Sequence, residues 1–204
     1  MTVNMILAGV GGQGILSIAT VLGRAALALD LNLKQAEVHG MSQRGGDVMS
    51  CLRLSDAPIA SDLIPAGKVD MIVAMEPMEA MRYLPQLKPG GVVISSSETV
   101  ANVPGYPERA ELCDRLVSLA RTHGLECAVF DAESLAREVA SPRSSNMVLL
   151  GAAAAWLQLP EYLGIAPQEI ENAVAAVFAP KGEAVVKSNI EAFRKGLAVG
   201  KDSL

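Results

Sequence analysis

Gly9-Val10-Gly11-Gly12-Gln13-Gly14 stands between a short apolar run, residues 3–8, and a helix-spaced stripe of Ile15, Ile18, Ala19, Leu22, Ala25, Ala26 and Leu29. The run reads as a buried strand. The stripe reads as an amphipathic helix, because its apolar residues recur every three or four positions. Glycine permits the tight turn between them and lets a phosphate approach the backbone. The helix N-terminus beyond supplies unpaired N–H groups and the positive end of its dipole. Gly9, Gly11 and Gly14 fit the G-x-G-x-x-G spacing of dinucleotide-binding folds. The ribose-binding carboxylate expected about 20 residues further on is Glu37.

The next segment of the chain departs from an ordinary dinucleotide fold. Residues 33–38 read as a second strand, and 48–54 as a third, with Val48, Ser50, Leu52 and Leu54 alternating against Met49, Cys51 and Arg53. The polar connector, residues 40–47, is too short for a helical crossover, so the two strands form an antiparallel ribbon. With its flanks it reads Glu37-Val38-His39-Gly40-Met41-Ser42-Gln43-Arg44-Gly45-Gly46.

Beyond the ribbon, strands and helices alternate. Residues 69–75 are a buried strand, and Pro77 opens a helix that Pro85 ends near Leu84. Lys88-Pro89-Gly90-Gly91 reads as a turn before a strand at 92–95, and residues 103–107 read as a surface loop. Leu112, Leu116, Leu119 and Ala120 mark a helix ending at Gly124. Residues 126–130 read as a strand and 131–139 as a short helix. Asn146 caps a small-residue helix running to Trp156, Pro167 opens another, and Val186, Ile190, Phe193 and Leu197 stripe a last one. The expected fold is α/β. It has three layers: a mostly parallel Rossmann-like sheet with an antiparallel ribbon, covered by C-terminal helices, in one domain over residues 1–204.

Composition removes several functions. Half of the 204 residues are hydrophobic, which excludes a disordered chain. Aromatics at 3%, and a net charge of −5 without a basic tract, argue against nucleic-acid binding. Cys51, Cys113 and Cys127 are scattered without a C-x-x-C, so no iron–sulfur or structural zinc site of this chain alone is expected. They read as small buried hydrophobes. The first 29 residues lack a positive leader, glycines interrupt their apolar run, and Arg24 follows. Neither a signal peptide nor a membrane span is expected, and an odd cysteine count fits a cytoplasmic protein.

Each polar motif carries two readings. The glycine turn (Gly9, Gly11, Gly12, Gln13, Gly14) holds a dinucleotide, coenzyme A or another phosphate, or it only packs helix on sheet. In Ser42-Gln43-Arg44-Gly45-Gly46, Arg44 clamps an anion, or the segment is a hairpin with a solvated arginine. His39 lacks companions at metal-ligand spacing and reads as a hydrogen-bonded strand end; His123 reads as a surface cap. Glu76 sits where open α/β sheets place ligands, or it is an acid at a helix start. Arg143 and Asn146 face a ligand at a loop–helix junction, or Asn146 is simply an N-cap.

The two N-terminal blocks together resemble the gamma-type subunit of 2-oxoacid:ferredoxin oxidoreductases, and His39-Gly40-Met41-Ser42-Gln43-Arg44 is similar to the indolepyruvate branch. Pro142-Arg143, Asn146-Met147-Val148-Leu149-Leu150-Gly151-Ala152 and Asn189-Ile190-Glu191-Ala192-Phe193 extend the resemblance over nearly the whole chain. It implies oxidative decarboxylation of a 2-oxoacid, with coenzyme A accepting the acyl group and ferredoxin the electrons. Thiamine diphosphate, magnesium and iron–sulfur clusters are then expected on a large partner subunit. This chain has neither the G-D-G…N segment nor the cysteine arrays that hold them, and is expected to be inactive alone. The glycine turn is implied to meet coenzyme A or a phosphate. His39, Ser42, Gln43, Arg44, Gly45, Gly46, Arg143 and Asn146 are implied to meet a ligand or the partner.

Overall fold

The computed structural model describes residues 1–39, 46–99, 105–139 and 141–204. A six-stranded sheet of β1 (Thr2–Val10), β2 (Asn32–His39), β3 (Asp47–Ser55), β4 (Val69–Ala74), β5 (Leu87–Ser96) and β6 (Glu126–Phe130) runs in the order β2-β3-β1-β4-β5-β6. β1, β4, β5 and β6 are parallel neighbours. β3 pairs antiparallel with both β1 and β2, so the ribbon is laid against β1. The fold is therefore α/β with a mixed sheet, as the strand–turn–helix reading expects.

Helices cover both faces. α1 (Ile15–Ala28), α4 (Ala132–Val139), α5 (Ser145–Leu157), α6 (Pro167–Phe178) and α7 (Glu183–Asp202) lie on one face, and α2 (Pro77–Tyr83) and α3 (Arg109–Thr122) on the other. Strand alternation divides the core between them. Met5, Leu7, Leu52, Met71, Val73 and Ile94 point to the five-helix face, whereas Ile6, Ala8, Ile72 and Val93 point to the two-helix face. Every residue of α5 from Asn146 to Leu157 is buried, because the helix is sandwiched between the sheet and α7. No single helix among the described residues is long and apolar enough to cross a membrane.

Three local expectations change. Lys88–Gly91 does not separate elements: it loops out within β5, where Leu87 pairs with Val69 and Val92 already pairs with Met71. Gly90, at φ 71°, absorbs that bend. Asn146 is not the cap of α5; Ser144 holds that position and Asn146 lies in the first turn. Glu37 does not sit beside the glycine turn. β3 intervenes between β2 and β1, which places Glu37 about 10 Å across the sheet, and its carboxylate accepts from Gln35 Nε2 at 2.7 Å. A ribose-binding role at that turn is thereby removed from Glu37.

Candidate functional site

The chain leaves β1 through α1 on one face and leaves β4 through α2 on the other. That divergence at the carboxyl ends of two adjacent parallel strands is where open α/β folds bind ligands. The glycine turn sits there. Gly12 (φ 103°) and Gly14 (φ 82°) hold backbone conformations that L side chains rarely adopt. Gln13 folds back, its Oε1 accepting from the Val10 N–H at 2.6 Å. A Cβ on Gly9 would lie 2.7 Å from that same oxygen, so Gly9 makes room for the fold-back.

The two glycine-rich blocks touch. Gly11 N–H donates to the Gly46 carbonyl at 2.9 Å, while Val10 pairs with Asp47 and Gly9 with Val48. The Gly11 amide is therefore committed to the protein, and the amides left for a ligand belong to the rest of the turn and the first turn of α1. The backbone of His39 closes β2 opposite Val48. Gly40, Met41, Ser42, Gln43, Arg44 and Gly45 lie outside the described residues, as do Val103 and Pro104 of the expected surface loop.

A second junction completes the site. Asn146, 132 positions along the chain, donates from Nδ2 to the Gly14 carbonyl at 3.1 Å. A Cβ on Gly14 would come within 2.6 Å of that nitrogen. The start of α5 is thus pinned to the start of α1, and Arg143 stands beside it on the approach to α5. Together they line a cleft of 780 Å³ that also takes in Met75 and Ser96 at the strand ends and the start of α7. Gly12, Gln13, Gly14, Arg143 and Asn146, all singled out from sequence, come together here.

Sequence reading misses the rest of the cleft. Lys181 enters it from the turn between α6 and α7, and Ser188 and Asn189 enter it because α7 crosses α5; of these only Asn189 belongs to a block quoted from the sequence, and no local motif announces the crossing. Glu98 and Glu133 also line the cleft. Burial pushes the Glu98 carboxyl up, against the pull of Arg109 at 2.8 Å. Arg109 also reaches Asp131 at 2.9 Å. Burial alone would raise Asp131, but the Ser134 N–H and the Arg109 guanidinium bring it down to about 2. Glu76, buried at the end of β4, turns to the two-helix face, where both its oxygens accept from the Tyr106 hydroxyl at 3.3 Å. Burial and that carboxylate push Tyr106 up to about 12.

The cysteines lie on three elements: Cys51 on β3, Cys113 on α3 and Cys127 on β6. Burial pushes the Cys127 thiol up to about 11, so it is a poor thiolate at neutral pH. This donor set does not fit an iron–sulfur cluster, and among the described residues no group of three or more His, Cys, Asp or Glu side chains could hold a metal ion. What the cleft offers chemically is anion binding: backbone amides, helix ends, hydroxyls and two cationic side chains around a polar opening.

The family described as pyruvate ferredoxin/flavodoxin oxidoreductase matches residues 4–199. The indolepyruvate oxidoreductase subunit IorB of Methanothermobacter thermautotrophicus is 32% identical over 205 residues, covering 100% of both chains. Its counterpart from Pyrococcus horikoshii is 35% identical over 207 residues, covering 98% of this chain and 97% of that one. A solved 2-oxoglutarate:ferredoxin oxidoreductase from Magnetococcus marinus, with 2-oxoglutarate, coenzyme A and succinyl-CoA bound, superposes with a TM-score of 0.75. It covers 98% of this chain and 31% of that one at 24% identity, a likeness of fold.

Proposed function

The chain belongs to the pyruvate ferredoxin/flavodoxin oxidoreductase family, and from that premise we propose that it is the small, non-redox subunit of a heteromeric 2-oxoacid:ferredoxin oxidoreductase. End-to-end similarity to indolepyruvate oxidoreductase subunits carries this reading and favours indolepyruvate or a related 2-oxoacid as substrate. Thiamine diphosphate, magnesium and the iron–sulfur clusters are assigned to the large subunit. When bound there, they supply decarboxylation and the electron path to ferredoxin. The scattered cysteines support this division of labour.

This chain's own part is to bind the acyl acceptor, coenzyme A, in the cleft. The Gly12–Gly14 turn and the first-turn amides of α1 receive a phosphate, with Asn146 fixing the turn against α5. Gly9 and Gly11 shape the turn rather than touch the ligand. His39, Ser42, Gln43, Arg44, Gly45 and Gly46 are assigned to the large-subunit interface. A cytoplasmic location follows from ferredoxin as the electron acceptor.

Co-expression with the large subunit is the test. A stable complex should form and reduce a viologen dye with indolepyruvate in a coenzyme A-dependent manner. A large subunit that is fully active without this chain would overturn the proposal.

A further inference from the structure

The outer face of α7 carries a groove of its own, separate from the ligand cleft. Val186 and Ile190, half-buried, line 450 Å³ of open space with Glu183, Lys187, Glu191 and Arg194. These residues recur at three- and four-residue steps, so they share one face of the helix. The inner face is buried at Asn189, Ala192, Phe193 and Gly196, and Gly196 meets Val148 of α5. α7 lines the cleft through Ala184, Val185, Ser188 and Asn189, none of which belongs to the groove.

The charges around the groove are not used up within the chain. Glu183 is exposed and has no ion-pair partner among the described residues. Lys187 and Glu191 stand 3.9 Å apart, too far for a hydrogen bond. Arg194 donates from Nε and Nη2 to Glu171 at 2.8 and 2.7 Å, which fixes the guanidinium and leaves its Nη1 donors unused among the described residues.

From Glu183 through Lys187 and Glu191 to Arg194 the signs run minus, plus, minus, plus. Reversed, they run plus, minus, plus, minus. An antiparallel copy of this face is therefore its own complement, as a two-fold interface requires. Glu183 then meets Arg194 of a second copy, Lys187 meets Glu191, and Val186 meets Ile190. All three pairings centre on residues 188–189. Docking on an unrelated protein would need no such reversal symmetry. We infer that α7 pairs antiparallel with α7 of a second copy of this chain, burying Val186 and Ile190 between flanking ion pairs. The matched stretch is about three turns, roughly 17 Å, so the free chain associates weakly. The cleft stays open in the pair, because the two faces share no residue.

Sedimentation equilibrium of the full chain, over a concentration series reaching the millimolar range, tests the pairing. The wild type should pass from monomer to dimer, at higher concentration as salt is added. Lys187→Glu and Glu191→Lys should each weaken dimerisation about tenfold or more, because each sets like charges together twice across the axis. An equimolar mixture of the two variants should dimerise as the wild type does, since the substituted positions then face each other with opposite charge. Arg121→Glu, exposed on α3, should leave the wild-type curve alone. A wild type that stays monomeric, single variants that associate like the wild type, or a mixture as weak as its components would each overturn the pairing. A monomeric wild type whose Lys187→Glu variant no longer binds the large subunit would give the groove to that partner instead.

Discussion

At Gly14 two demands meet in one residue. Its φ of 82° costs an L-residue roughly 1–2 kcal/mol. An added methyl would also press to 2.6 Å against Asn146 Nδ2, the group that ties α1 to α5. Gly14→Ala should therefore lower stability by about 2 kcal/mol and the melting temperature by about 4–8 °C. It should weaken coenzyme A binding further, because the displaced Asn146 loosens the turn. Gly105→Ala is the comparison: φ is 78°, yet nothing lies near its Cβ, so it carries the backbone strain alone and should leave coenzyme A affinity unchanged. Scanning calorimetry and titration of the two variants check this. Equal effects on ligand affinity would show that the Gly14–Asn146 contact does not organise the site.

The crossing of α5 and α7 decides how the cleft closes on its far side. Along α7, Gly196 packs on Val148 and Gly200 on Ala152 of α5, while Gly151 of α5 packs against the backbone of Phe193 and Leu197. A Cβ on Gly196 would lie 1.8 Å from the Val148 carbonyl oxygen, and one on Gly200 2.6 Å from that of Ala152. Glycine within an exposed helix normally gains up to about 1 kcal/mol on becoming alanine. Here the sign should reverse. Gly196→Ala should cost about 3 kcal/mol by forcing the helices apart, and Gly200→Ala should cost less, as read from urea unfolding midpoints. A stabilised Gly196→Ala would refute the crossing. The same crossing marks the limit of what the sequence discloses. Elements flanked by proline or glycine, such as α2, α3 and α6, are legible because backbone chemistry punctuates them locally. The ribbon is legible because its connector is too short for any alternative. Gly12, Gly14, Arg143 and Asn146 can be singled out, but not that Asn146 reaches Gly14. Ser188 cannot be singled out, because helix–helix contact alone carries it to the cleft, and Lys181 arrives from the turn between α6 and α7. The loop inside β5 escapes sequence reading because Pro89-Gly90-Gly91 is chemically the same whether a strand ends or merely bends.

Across the whole molecule, Arg109 gathers the carboxyl ends of β5 and β6 and the start of α4, bonding Glu98, Ser97 and Asp131. Asp131 also accepts from the Ser134 N–H at 2.7 Å, so it caps α4. Its carboxyl sits at about 2 in the folded chain, below the ordinary value of 3.8. A group depressed in this way stabilises the fold above its unfolded value. That contribution is lost as pH falls from near 4 through about 2, and below that folded and unfolded forms are equally protonated. Acid also unfolds the chain for a collective reason: with 22 Asp and Glu against 17 Lys and Arg, protonation turns a net −5 into a strongly positive chain. The two effects are separable. Asp131→Asn keeps a good N-cap but discards the charge, and of the other carboxyls it is Glu98, raised in part by Asp131, that feels the change. At pH 6 the variant should melt several degrees below the wild type, and the gap should close by pH 2. Paired thermal melts in low salt across that range make the measurement. A gap that stays constant with pH would mean that Asp131 acts through shape alone and that Arg109 does not hold the strand ends by charge.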